Sequence, residues 1–216
     1  MEEKVVKLDI LSDPICPWCY IGKVQLERAL ADRPDHPFVI EWHPFQLNPD
    51  MPREGMDRQE YLRAKFGDKA TSTYNRIGEH FEDIGIEANL NAISRTPNTL
   101  DAHRLIHWAG IEGCQNAMVD ALFRANFVDG RDIGDREVLA DLADGIGMDA
   151  ATVRRLLASD ADEEMIRDRD AHSRKMGVNA VPTFVIANQH VVPGAQPTDL
   201  WLKVIDEIAA QVQGTA

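Results

Sequence analysis

Hydrophobic and polar positions alternate at the start of the chain. Val6, Leu8 and Ile10 share one face at period two, with Lys7 and Asp9 between them, which predicts a strand. Ser12, Asp13 and Pro14 break that pattern. Cys19, Gly22, Leu26, Ala29 and Leu30 then recur at helical spacing until the run Arg33-Pro-Asp-His-Pro closes the helix. Phe38 to Trp42 resumes as a strand, so the first 45 residues form a βαβ unit.

Beyond a proline-punctuated loop the period changes to that of helices. Asp57 with Glu60 makes a capping-box-like start before Tyr61, Leu62 and Phe66. Further helical stripes run through Tyr74, Ile77 and Phe81, then Leu100, Leu105 and Ile106, then Met118, Ala121 and Leu122. Val138, Leu139, Leu142 and Ile146 mark another, Val153, Leu156 and Leu157 a shorter one, and a last helix covers about Asp162 to Met176. No strand is expected in this stretch. Sheet character returns with Thr183 to Ile186, a turn at Asn188-Gln189, and His190 to Val192. A closing helix places Leu200, Trp201, Val204, Ile205 and Ile208 on one side. The order predicts an α/β protein: a thioredoxin fold interrupted by a large all-helical insertion. Residues 1–54 and 166–216 form the thioredoxin-like domain, and residues 55–165 the helical insertion domain.

Composition narrows the function. Of 216 residues, 44% are apolar and 27% charged, a globular balance. No segment approaches the roughly 20 apolar residues of a membrane span. A net charge of −13 argues against nucleic acid, whose phosphates are bound by Lys and Arg. Residues 129–170 hold thirteen Asp/Glu against six Arg and read chiefly as a solvated outer face, with a docking surface for a basic partner as the alternative. The opening Met-Glu-Glu-Lys-Val-Val-Lys lacks the basic region and apolar core of a secretory leader, and a cytoplasmic location is expected.

Three cysteines are too few for a disulfide scaffold. Cys16 and Cys19 form a C-x-x-C pair at the strand-to-helix turn, where unpaired N–H groups and the positive end of the helix favour a sulfur anion. Pro17 suits the first helical position because its missing N–H is not needed there. Cys16 is then the attacking thiol and Cys19, one turn on, the buried resolving thiol. Trp18 offers a flat apolar surface beside them. A zinc site needs two further ligands at comparable spacing, and none follows, so no metal is expected. Pro182 stands at the start of a strand that reads as central, which points to a cis Val181–Pro182 bond and a Val181 backbone turned toward the dithiol. Cys114 reads as a small helical or core residue.

Three separated tracts carry a resemblance: Asp13-Pro-Ile-Cys-Pro-Trp-Cys-Tyr-Ile-Gly, Arg95-Thr-Pro-Asn-Thr-Leu-Asp-Ala-His-Arg-Leu and Gly177-Val-Asn-Ala-Val-Pro-Thr-Phe-Val-Ile. Together with Gly194-Ala-Gln-Pro they resemble the FrnE-type branch of the DsbA family over nearly the whole chain. The resemblance implies a thiol–disulfide oxidoreductase without metal or nucleotide cofactor. Its partners would be a disulfide-containing protein or peptide, or glutathione as co-substrate. It assigns Cys16 and Cys19 to catalysis and Val181 and Pro182 to the substrate-facing segment. Phe45, Asn48, Ala195 and Gln196 fall where similar proteins line a groove for glutathione or peptide. Asn98, Asp101 and His103 belong to the insertion motif; they either roof the dithiol or cap and pack the helix. Asp13 reads as a turn residue before Pro14, with a proton relay to Cys19 as the alternative.

Related 2-hydroxychromene-2-carboxylate isomerases and kappa-class glutathione transferases typically carry Ser at the position of Cys16. Having both cysteines favours redox exchange. The alternatives are a glutathione-dependent isomerase or transferase on a small aromatic substrate, and a redox-responsive binding or chaperone module. Relatives that bind glutathione are often homodimers, and no stripe in this sequence is diagnostic of one.

Overall fold

The computed structural model describes residues 5–214. Met1 to Lys4, weighed above as a leader, lie outside the described residues. A four-stranded sheet has the order β2-β1-β5-β6, formed by β1 (Val6–Ser12), β2 (Phe38–Pro44), β5 (Thr183–Ile186) and β6 (His190–Pro193). β1 pairs parallel with β2 and antiparallel with β5, and β5 pairs antiparallel with β6. The parallel step requires a crossover, which helix α1 (Pro17–Asp32) supplies. As a central strand β1 is covered on both faces, so Asp9 is buried with Leu8 and Ile10 rather than facing water. Asp9 accepts a 2.5 Å bond from His43 on β2 and pairs with Lys7.

Helix α9 (Thr198–Gly214) lies along α1, and its Trp201 meets the Phe184 ring of β5 edge-on at 4.7 Å. Between β2 and β5 come helices α2 (Arg58–Phe66), α3 (Ala70–Asp83), α4 (Leu100–Ile111), α5 (Gln115–Phe127), α6 (Arg136–Gly145), α7 (Ala150–Leu157) and α8 (Glu163–Lys175). The expectation of no strand there is corrected by one ribbon: β3 (Met56–Asp57) pairs antiparallel with β4 (Arg95–Thr96). Two residues per strand are too few to leave an alternating pattern.

Aromatic packing fixes α1 against the helical segment. Tyr20 stacks on Phe123 of α5 at 5.0 Å and meets Phe81 of α3 at 5.8 Å and Phe127 at 6.0 Å. The acidic run of residues 129–170 is largely absorbed locally. Asp135 and Asp149 cap α6 and α7, while Asp141 and Glu137 pair with Arg131 and Arg154 at the surface.

Candidate active site

β1 ends at Ser12, and the Asp13–Ile15 turn brings Cys16 to the N-cap of α1 with extended backbone angles, φ −87° and ψ 115°. The Cys16 N–H donates to the Asp13 carbonyl at 2.9 Å, and the Cys19 N–H to the Cys16 carbonyl at 3.1 Å. Pro17 occupies the first turn, where its missing N–H costs nothing. Both thiols are free. Burial does not separate them, since Cys16 is 3% exposed and Cys19 1%. Chemistry does. Burial first, then the hydrogen bond and charge of Cys16, push the Cys19 thiol well above the ordinary cysteine range. The Ser12 hydroxyl and the Asp13 backbone act the other way by bonding to the Cys19 sulfur.

The Val181–Pro182 peptide is cis. The Cys16 thiol donates to the Val181 carbonyl oxygen at 3.6 Å, joining residues 165 positions apart. The Pro182 carbonyl accepts from Gly194 N–H at 2.8 Å, which carries the Gly194–Gln196 turn alongside. Ala195 sits in that turn, its Cα 3.4 Å from where a Cβ on Gly22 would stand. Gln196 donates its amide back to the Pro193 carbonyl at 2.7 Å. Trp18 is exposed at the edge of the site, its ring 4.9 Å from that of His80.

Other residues singled out in the sequence are held by contacts within the chain. Phe45 is buried, and the Arg174 guanidinium lies over its ring at 4.1 Å, so its face is occupied from within the chain. Asn48 accepts from the Tyr61 hydroxyl at 3.2 Å. Asn98 accepts the Leu100 N–H at 2.9 Å and donates to the Met51 carbonyl, a capping role. Asp101 pairs with Arg104 and Arg136. His103 is buried, and burial lowers its pKa to about 4. Cys114 stands at the N-cap position of α5 without a side-chain cap bond, and its thiol is raised by burial and by Glu112.

Asp13, read from the sequence chiefly as a turn residue with a proton relay as the alternative, belongs to a buried polar cluster beside the dithiol turn. Asp13 is fully buried; its carboxylate accepts from Leu47 N–H at 2.6 Å, from Ile15 N–H at 3.4 Å and from Thr99. Burial nonetheless raises its pKa to about 7, and the nearby Asp170 adds to the rise. Asp170 takes the Gln46 N–H at 2.7 Å and the Arg174 side chain at 2.8 Å. The Asp-Pro pair in the sequence signalled a turn, and the turn exists; its roof comes from α4, α8 and the loop after β2, which local pattern does not report.

The model of the DSBA-like thioredoxin domain matches residues 7–206. A protein of Streptomyces coelicolor whose structure is described as a probable DsbA oxidoreductase superposes with TM-score 0.83 at 31% identity, covering 98% of this chain and 91% of that one. A 2-hydroxychromene-2-carboxylate isomerase superposes with TM-score 0.72 at 14% identity over 97% and 99% of the two chains. The cytosolic disulfide reductase DsbM of Pseudomonas aeruginosa, solved with glutathione, does so with TM-score 0.65 at 22% identity over 94% and 99%. The chain belongs to the family of DSBA-like thioredoxin domains.

Proposed function

We propose that this protein is a thiol–disulfide oxidoreductase working through Cys16 and Cys19. The observation that carries the reading is the position of the Cys16 sulfur. It lies at the N-cap of a 16-residue helix, 3.6 Å from a backbone carbonyl of Val181 and one turn from a second thiol. The thiolate is the nucleophile in disulfide exchange, and a helix N-terminus stabilises negative charge. Cys16 thiolate attacks a substrate disulfide, a Cys16–substrate bond forms, and the first substrate thiolate leaves. Cys19 then loses its proton and attacks the Cys16 sulfur, which closes the Cys16–Cys19 disulfide and expels the second substrate thiolate. The exposed Trp18 and the Val181 backbone flank the approach for an extended peptide or a small thiol. Glutathione is the small thiol this reading favours, by similarity to DsbM, and that similarity also supports a cytoplasmic location. Among the described residues no helix is long and apolar enough to cross a membrane.

Insulin reduction with dithiothreitol or glutathione as the reductant tests the proposal. Cys16→Ser should abolish turnover. Cys19→Ser should keep the first attack and accumulate a mixed disulfide visible as an added mass. Turnover unchanged in Cys16→Ser refutes the assignment. Saturable catalysis on a small aromatic substrate with glutathione, surviving Cys19→Ser, would favour an isomerase instead.

A further inference from the structure

The dithiol has a second layer behind it, and one atom there is unpaired. His103 on α4 is buried, with its Nδ1 side bonded to the Phe45 carbonyl. Its Nε2 has no hydrogen-bond partner and stands 3.8 Å from the Asp13 carboxylate, too far for a direct bond. With Nδ1 carrying the proton, Nε2 is an acceptor. An orphaned acceptor in a low-dielectric interior is costly enough to call for an explanation. His103 borders a cavity of about 10 Å³ whose wall also includes Ser12, Trp42, His43 and Phe123. That is room for one water and no more. Ser12 is the residue whose side chain most favours the Cys19 thiolate against the rise imposed by burial.

We propose that His103 is a positioning residue for the resolving thiol, acting through one water held in this cavity. The water donates one hydrogen to His103 Nε2 and the other to Ser12 Oγ. Ser12 is thereby left with its own hydrogen directed at Cys19, and donates to the thiolate that forms when the mixed disulfide is resolved. Polarisation along such a chain strengthens the last bond. The chain needs His103 neutral, because an imidazolium would donate into the cavity and turn the water round. The charged and titratable groups around it are Asp13 on the turn after β1, Asp170 with Arg174 on α8, and His43 on β2, itself bound by Asp9 and Arg169. Val119 and Phe123 close the α5 side with apolar surface.

This inference rests on the oxidoreductase reading, and one assay separates the two. In a Cys114→Ala background, 5,5′-dithiobis(2-nitrobenzoate) reports two releases of thionitrobenzoate: attack by Cys16, then resolution by Cys19. His103→Leu and Ser12→Ala should each slow the second phase about tenfold at neutral pH and move its midpoint to higher pH, leaving the first phase unchanged. The double variant should be no slower than either single one. His103→Gln, which keeps an acceptor in the same region, should recover most of the rate. A second phase in Ser12→Ala or His103→Leu that superimposes on the parent overturns the inference. Equal loss in His103→Gln and His103→Leu also overturns it, since it marks a packing role. Absence of the first phase in the Cys114→Ala parent overturns the oxidoreductase reading, and this inference with it.

Discussion

Helix α1 lies against Pro182 because residue 22 has no side chain. A Cβ on Gly22 would stand 3.1 Å from the Pro182 Cγ, and 3.4 Å from both the Ala195 Cα and the tip of the Phe184 ring. The helix that carries both cysteines is thus seated directly on the start of β5. Replacing a mid-helix glycine by alanine ordinarily gains up to about 1 kcal/mol. Here the neighbours are a proline ring and backbone, which cannot yield cheaply, and overpacking of this kind costs about 1–3 kcal/mol. Gly22→Ala should therefore lower stability in a denaturant titration despite the better helix former. It should also slow disulfide exchange by shifting Cys16 relative to Val181. A stability gain would show that the contact is slack.

Arg104 organises the helical segment in the same direct way. Its guanidinium is fully buried and donates to Asp101 and to the carbonyls of Ala161, Leu156 and Ser159 at 2.6–2.9 Å, with its plane 4.9 Å over Trp108. A lysine ammonium cannot reproduce the fork, so two or more buried acceptors lose their partner. Arg104→Lys should cost about 3 kcal/mol in equilibrium unfolding. The rate of the first thionitrobenzoate release should hardly change in the folded variant, because Arg104 does not touch the dithiol turn.

Trp18 makes the opposite case. It is 36% exposed, and its ring meets the edge of His80. Trp18→Ala should leave the melting temperature nearly unchanged. If the ring receives substrate, KM for a peptide disulfide should rise severalfold with kcat less affected. A KM for the peptide disulfide that is unchanged in Trp18→Ala would remove Trp18 from the substrate surface.

These residues show where sequence reasoning works in this chain. β1, α1 and the β5–β6 hairpin are legible because each carries its own period and its own turn residues over at least four positions. The pair Cys16 and Cys19 is legible because spacing and a helix start suffice to define it. The burial of Phe45 is not legible, since the Arg174 that covers it lies on a helix 129 positions later. Asp13 is legible only in part, for the same reason. An aspartate before proline looks like turn chemistry, and only the arrival of Leu47, Thr99 and His103 makes it a buried acid. The ribbon β3–β4 is too short to have a period at all.

Asp13 and His103 give the chain a testable pH signature. Asp13 has its pKa raised from 3.8 to about 7 in the fold, so the folded state holds a proton that the unfolded chain releases. Its stabilising contribution is complete below about pH 4 and is lost as pH rises to 7, a change of roughly 4 kcal/mol. His103 has its pKa lowered from 6.5 to about 4, so there the unfolded chain holds the extra proton. Its contribution is complete above about pH 6.5 and is lost as pH falls toward 4, a change of roughly 3 kcal/mol. Over most of that window the two slopes oppose and largely cancel. Asp13→Asn keeps an acceptor for the Leu47 N–H and turns an amide toward His103, so it is the gentler substitution. Relative to wild type, Asp13→Asn should gain stability as pH rises from 4 to 7, whereas His103→Gln should lose it. Taking differences from wild type removes the contributions of His43 and His107, whose pKa values burial also lowers. Unfolding free energies of the three proteins at pH 4.5, 5.5 and 6.5 decide the matter; parallel curves would mean that neither group keeps its unusual proton affinity in solution.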